Sequence, residues 1–235
     1  MSHPPIRPIL LQQNRGKAVA LNEGLRAATG ELIVFADARQ TFAPDVLRRL
    51  AENFADPSVG STSGELLLES AEGGVAANVG LYWRYEKWIR RCESDFGSML
   101  GATGAIYAIR RDLWRPLPEG ALLDDFLTPM RIVLAGRRAV FDPRAVATDR
   151  VSLRAGQEFR RKVRTLAGNF QAFAFEPALL LPWRNPSTWL QVWSHKALRL
   201  AVPWALVVML AASWAAAGTF YWLAAAAQLA FYGLA

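Results

Sequence analysis

Two acidic features and a set of cations carry the chemistry that this sequence can do. Asp37 ends the apolar run of "ELIVFADARQTFAPD", residues 31–45. An apolar run closed by a carboxylate reads as a buried strand that delivers an acid to a sheet edge, the usual ligand site of α/β proteins. Two positions on, where a second acid would complete a pair for a hard divalent cation, stands Arg39. Arg39 can neutralise phosphate itself. The plainer alternative is a loop-capping Asp37 beside a solvated Arg39. The second feature is "LLDDF", with Asp124 and Asp125 adjacent. Neighbouring carboxylates at an apolar pocket can raise one pKa toward neutrality, which suits a general base. The same pair also complements the dipole at a helix start. The small residues of "GATG", residues 101–104, would let backbone amides approach a ligand or simply make a tight turn. Arg160, Arg161 and Arg164 have spacings that share a helix face, suited to a diphosphate or to anionic headgroups. His3 and His195 are too few and too distant in sequence to suggest a metal site.

The elements that must position these residues follow from periodicity. Residues 7–12 read as a short strand, and "GKAVALNEGLRAATG" as a helix stopped by Gly30. A strand over 32–36 follows. Pro44 in a first turn then opens a helix with Leu47, Leu50 and Phe54 on one face. "VGSTSGELLLE" is a second strand, Gly73 and Gly74 punctuate a loop, and a long helix covers "VAANVGLYWRYEKWIRRCESDFGSML". A strand at 105–109, a helix from "LLDDF", a strand through "RAVFDPRAVATD" and the basic helix "GQEFRRKVRTLAGNFQAF" complete the alternation. Strands alternating with helices predict a parallel α/β sheet.

Hydrophobic residues make up 52% of the 235 residues, enough for one well-cored domain and something more. The excess lies at the C-terminal end, where Arg199 carries the only formal charge from Ala197 to Ala235. "LRLAVPWALVVMLAASWAAAG" and "TFYWLAAAAQLAFYGLA" each approach the length of a bilayer span, and Gly218 and Thr219 could turn between them. Two buried helices of a soluble protein are the alternative. Lys162, Arg164, Lys196 and Arg199 precede the first span and put that side in the cytoplasm. The segment 176–196, rich in Trp and Pro, suits a membrane interface. "MSHPPIRPI" lacks the apolar core of a signal peptide. Cys92 is the single cysteine, so no intrachain disulfide forms. The net charge of +7 suits phosphorylated or lipid partners, and no recognisable motif speaks for nucleic acid.

Three pieces stand in order: "GKAVALNEGL" before the strand ending in Asp37, "GATGAIYAIRR" before "LLDDF", and "EFRRKVRTLAGNFQ" before the apolar end. This order resembles the membrane-bound bacterial glycosyltransferases of family 2, the class of cellulose, chitin and hyaluronan synthases. The resemblance implies an α/β A-type glycosyltransferase (nucleotide-diphospho-sugar transferase) fold. It also implies an inverting transfer to a lipid or glycan acceptor at the cytoplasmic face of the inner membrane. By motif position, Asp125 is the general base, with Asp124 in the preceding acidic slot. Asp37 is the first acid of D-x-D, holding the donor or a divalent cation (Mg²⁺ or Mn²⁺), with Arg39 in the second place. Lys17 and Asn22 belong to the G-K-x-x-A-L-N element beside the donor, and Gly101, Thr103 and Gly104 to the acceptor loop. Arg161 and Arg164 fall on the Q-x-x-R-W motif and would face the diphosphate, while Thr165 replaces its Trp and weakens any claim to long processive synthesis. Trp83 lies in an aromatic stretch whose spacing is that of core packing, yet it could also contact acceptor sugar.

The chain is expected to divide into a partial catalytic domain at 1–175, the interfacial segment at 176–196 and two spans at 197–235, the second ending with the chain so that its far end is unseen. A nucleotide-binding strand–helix–strand unit is expected ahead of the G-K element, where the sequence has only about fifteen residues. This polypeptide alone is therefore expected to have little transferase activity. A non-catalytic membrane-associated remnant or subunit of a glycan-synthesis system is the alternative.

Overall fold

The computed structural model describes residues 6–69, 76–150, 155–182, 185–216 and 218–234. The elements in chain order are α1 (Lys17–Ala27), β1 (Leu32–Ala36), β2 (Thr41–Phe42), α2 (Val46–Glu52), β3 (Val59–Glu69), α3 (Ala76–Phe96) and β4 (Ile106–Arg110). They continue with α4 (Asp124–Leu134), β5 (Arg138–Arg150), α5 (Ala155–Phe175), α6 (Pro186–Gln191), α7 (Leu198–Ala215) and α8 (Thr219–Leu234). Two compact units divide the chain, Met1–Val192 and Trp193–Ala235.

The first unit holds a five-stranded sheet in the order β1-β4-β3-β5-β2. It is mixed, not parallel: only β3 and β5 run parallel, and every other pair is antiparallel. Two of the antiparallel pairs come from β4, which enters between β1 and β3 in the opposite sense, and the third is β2 on β5. β4 is almost wholly buried, with Ile106, Tyr107, Ala108 and Ile109 packed on both faces. The expected strand over 7–12 does not form: residues 6–15 are neither helix nor strand. Pro44 precedes α2 instead of standing in its first turn. The expected loop at Gly73 and Gly74 lies outside the described residues.

The core beneath the sheet joins Val46, Leu50 and Phe54 to Val59, Ile106 and Val140. α4 covers other parts of the sheet with Phe126, Met130, Ile132 and Val133, all buried. Between Gly64 and Glu65 the register on β5 jumps from Asp142 to Val146. The looped-out residues include Pro143, which has no N–H for a ladder. Asp142 holds this bulge together, accepting from Arg144 N at 2.9 Å, Arg144 Nη2 at 2.8 Å and Asn53 Nδ2 at 2.8 Å. The bulge also explains Gly64. A Cβ there would lie 2.4 Å from the Ala145 carbonyl oxygen and 2.6 Å from Ile106 Cδ1. Gly64→Ala is therefore expected to cost about 1–3 kcal/mol of stability by overpacking, read as a lower melting temperature.

In the second unit α7 and α8 pack together, with Trp214 edge-on to Trp222 at 5.1 Å. Gln228 ties them by donating to the Leu206 carbonyl at 2.7 Å. Among the described residues, one helical stretch, Pro186–Ala215, is long and apolar enough to cross a bilayer. It joins α6, a π-helical turn over Val192–Ala197 and α7. Its start lies within the segment expected to be interfacial. α8 is helical over Thr219–Leu234.

Candidate functional site

The register of β1 against β4 builds the site. Ala36 pairs with Ile106, so Asp37 at the end of β1 meets the "GATG" loop at the start of β4. Phe35 stacks on its cross-strand partner Tyr107 at 4.2 Å and locks this register.

The loop is pinned on three sides. Ala102 N donates to the Asp125 carbonyl at 2.7 Å, Thr103 N donates to Ser63 Oγ at 2.8 Å, and Arg90 donates to Thr103 Oγ1. Gly104 then passes so close to Asp125 that a Cβ would lie 2.7 Å from Asp125 Oδ2. Gly101 takes a left-handed φ of 82°, which lets the loop turn against Phe126. The glycines that the sequence assigned to a ligand loop thus set the Asp125 carboxylate against the backbone.

Lys17 joins the two acidic features. Its Nζ lies 3.1 Å from Asp124 Oδ1 and 3.4 Å from Asp37 Oδ1. Burial works against the ammonium charge, but Asp124 and then Asp37 outweigh it and raise the Lys17 pKa. The group stays cationic at neutral pH. Asp124 is buried, with its side chain 6% exposed, whereas Asp37 is 40% exposed and open to a ligand. Asp124 Oδ2, Tyr107 Oη and Thr128 Oγ1 are buried without a well-aligned hydrogen bond. Burial, then the charges of Asp124 and Asp125, pushes the Tyr107 hydroxyl well above the usual tyrosine range, so it remains a proton donor beneath Asp124. Tyr107 and Thr128 look like ordinary core positions in the sequence, and no motif marks them.

Other expected site residues have different partners. Arg39 pairs with Asp149 Oδ2 at 3.0 Å, and Gln40 donates to the same oxygen at 2.9 Å. Asp149 lies one residue before the end of β5. Asn22 spends its amide on Leu117, donating to the carbonyl and accepting from the N–H, each at 2.9 Å. This pair of hydrogen bonds fastens α1 to the loop before α4. The side chain of Trp83 lies outside the described residues.

α5 docks on the chain leading into α4. Gln171 accepts from Leu122 N at 2.9 Å and donates to the Gly120 carbonyl at 3.0 Å. At Gly168 a Cβ would lie 2.5 Å from Leu123 Cγ. Phe173 meets Phe126 edge-on at 6.0 Å. Arg164 and Arg161 stand about one and two turns before Gly168 on the same helix face.

A divalent cation fits this donor set poorly. Asp37 supplies the one acid of its motif and is engaged by Lys17, while Arg39 is engaged by Asp149. Among the described residues no three Asp, Glu, His or Cys side chains converge on a metal position. The Lys17 ammonium lies between Asp37 and Asp124 at that position.

Residues 2–115 match Glycosyl transferase family 2. An N-acetylglucosaminyltransferase of Sinorhizobium fredii (strain NBRC 101917 / NGR234) is 26% identical over 88% of this chain and 57% of its own length. Another, from Rhizobium sp. (strain N33), is 27% identical over 69% of this chain and 39% of its own. The chain thus spans about half the length of the curated relatives it matches. A mannosyltransferase from Pyrobaculum calidifontis, solved in complex with GDP-Man and Mn²⁺, superposes with a TM-score of 0.69 at 29% identity. That match covers 94% of this chain and 61% of the mannosyltransferase. Residues 2–115, which include the Asp37 strand end and the glycine loop, thus resemble glycosyl transferase family 2, and the chain has the A-type glycosyltransferase fold.

Proposed function

We propose that the chain is part of a glycosyltransferase that moves a sugar from a nucleotide-sugar donor to a lipid or glycan acceptor, with inversion, at the cytoplasmic face of a bacterial inner membrane, and that this polypeptide alone has little of that activity. The observation that carries this reading is the convergence of Lys17, Asp37, Asp124 and Asp125 at one sheet end. Asp125 takes the proton of the acceptor hydroxyl. The acceptor oxygen attacks the anomeric carbon from the face opposite the diphosphate, and the bond to the diphosphate breaks. Lys17, with Arg161 and Arg164 on the facing side of α5, meets the charge that develops on the leaving group. Asp37 orients Lys17 and the donor, and buried Asp124 holds the ammonium from behind. The relatives' names differ in the sugar transferred, so the donor class is put no more narrowly than a nucleoside diphosphate sugar. Membrane attachment rests on the apolar stretch Pro186–Ala215 and the cationic residues ahead of it. Such an enzyme would serve polysaccharide or glycolipid synthesis.

Calorimetry on the purified chain in nanodiscs tests the reading. UDP- and GDP-sugars are the probes. Binding by at least one is expected, weakened roughly tenfold, about 1.4 kcal/mol, by Lys17→Met. No binding by any of them would sink it.

A further inference from the structure

Two buried hydroxyls, those of Tyr107 and Thr128, take no part in the transfer chemistry. Tyr107, Thr128 and Asp124 are 0%, 3% and 4% exposed. Asp124 Oδ2, Tyr107 Oη and Thr128 Oγ1 each lack a well-aligned hydrogen bond. An unpaired polar group in a core is costly, so three at one place call for an arrangement that pairs them. Asp124 and Thr128 stand at i and i+4 on α4 and share a face. The Tyr107 hydroxyl meets that face from β4, where both side chains act on it. Its ring is fixed by the Phe35 ring, stacked at 4.2 Å and within 3° of parallel. One direction of donation satisfies all three groups: Thr128 donates to Tyr107 Oη, and Tyr107 donates to Asp124 Oδ2. The reverse is closed, because a carboxylate only accepts. Burial keeps the phenol protonated and able to donate.

We propose that Tyr107 is a positioning residue for the donor site: its hydroxyl, backed by Thr128, holds Asp124 Oδ2 and so limits how tightly Asp124 grips Lys17. This role rests on the nucleotide-sugar donor proposed above. Lys17 Nζ lies 3.1 Å from Asp124 Oδ1 and 3.4 Å from Asp37 Oδ1, and its side chain is 48% exposed. The ammonium is thus shared between a buried acid and an exposed one, with a side left for a diphosphate. A free Asp124 carboxylate would turn both oxygens onto the ammonium and draw it inward, away from that ligand. The Tyr107 bond occupies the second oxygen and prevents this. The strand pair that sets Asp37 also sets the hydroxyl, since Phe35 stands two residues before Asp37 and opposite Tyr107.

The test is a double-mutant cycle on the full chain in nanodiscs, read by calorimetry with UDP and GDP. Tyr107→Phe keeps the ring against Phe35 and deletes only the hydroxyl. In the wild-type background it should weaken nucleotide affinity about three- to tenfold. In a Lys17→Met background the same change should move affinity less than about twofold, because the group through which Tyr107 acts is gone. Equal losses in both backgrounds would show a merely structural tyrosine and overturn the proposal, as would no loss in either. Tyrosine labelled with ¹³C at Cζ reads the bond by NMR without any nucleotide. The wild-type chain should show a slowly exchanging hydroxyl proton that is absent from Tyr107→Phe. That resonance should move upfield in Asp124→Asn, where the acceptor is neutral. A resonance unmoved by Asp124→Asn overturns the hydrogen bond whatever the nucleotides do. If the resonance behaves as expected but the wild-type chain binds no nucleotide or nucleotide sugar, the transferase reading fails and takes the positioning role with it, while the hydrogen bond stands.

Discussion

Asp125→Asn should lower sugar transfer roughly 10²–10⁴-fold while leaving nucleotide-sugar affinity nearly unchanged. The size follows from what an amide cannot do: it fills the same space but takes no proton from an acceptor hydroxyl. The selectivity follows from position. Asp125 Oδ2 lies against Gly104 in the loop ahead of β4, whereas Lys17 contacts Asp124 and Asp37. Removing the base therefore leaves the cation for the diphosphate in place. Initial rates over a range of acceptor concentration, together with calorimetric donor affinity, check both halves. A loss of donor binding equal to the loss of rate would mean that Asp125 serves the donor. Undiminished turnover would remove it from the mechanism.

Much of this site was legible because local rules placed its parts. The apolar run before Asp37 makes β1, and acids in a first turn fit the start of α4. The small residues of 101–104 read as a tight loop, and the 2.7 Å from a Gly104 Cβ to Asp125 Oδ2 shows why a larger side chain does not fit there. What sequence does not contain is the pairing across long separations. Alternating strands and helices suggested a parallel sheet, but β4 follows a long helix and a loop that let it enter in either direction. It runs antiparallel between β1 and β3 and is buried on both faces. The Lys17 bridge and the Arg39–Asp149 pair likewise join residues remote in the chain, and helix-face spacing says nothing about them. Asn22 shows the converse. Its motif position suggested a ligand contact, and the fold uses both ends of its amide to hold Leu117.

Arg39→Asp should convert donor binding from weakly to strongly dependent on Mn²⁺. The wild-type side chain brings a cation to the sheet edge and occupies the Asp149 carboxylate at 3.0 Å. The substitution removes that cation, adds an acid two residues after Asp37, and releases Asp149 from its ion pair. Three carboxylates would then lie near the donor edge, where a hard cation can use oxygen ligands from the protein and from the diphosphate. The buried side of Asp149, 8% exposed, keeps its bond from Gln40, so the strand end should remain folded. Calorimetric titration of UDP and GDP with Mn²⁺ and with EDTA is the measurement. Manganese should improve affinity in the variant at least about tenfold, or 1.4 kcal/mol, and much less in the wild-type chain. Lys17→Met supplies the complementary arm. With the ammonium gone, Asp37 and Asp124 face each other without a shared cation, and nucleotide affinity in EDTA should fall. If wild-type binding instead collapses in EDTA and Lys17→Met changes nothing, then Asp37 and the donor diphosphate suffice to hold a metal. Lys17 would then be a placeholder that the metal displaces, and Arg39 a substitution without consequence for the cation.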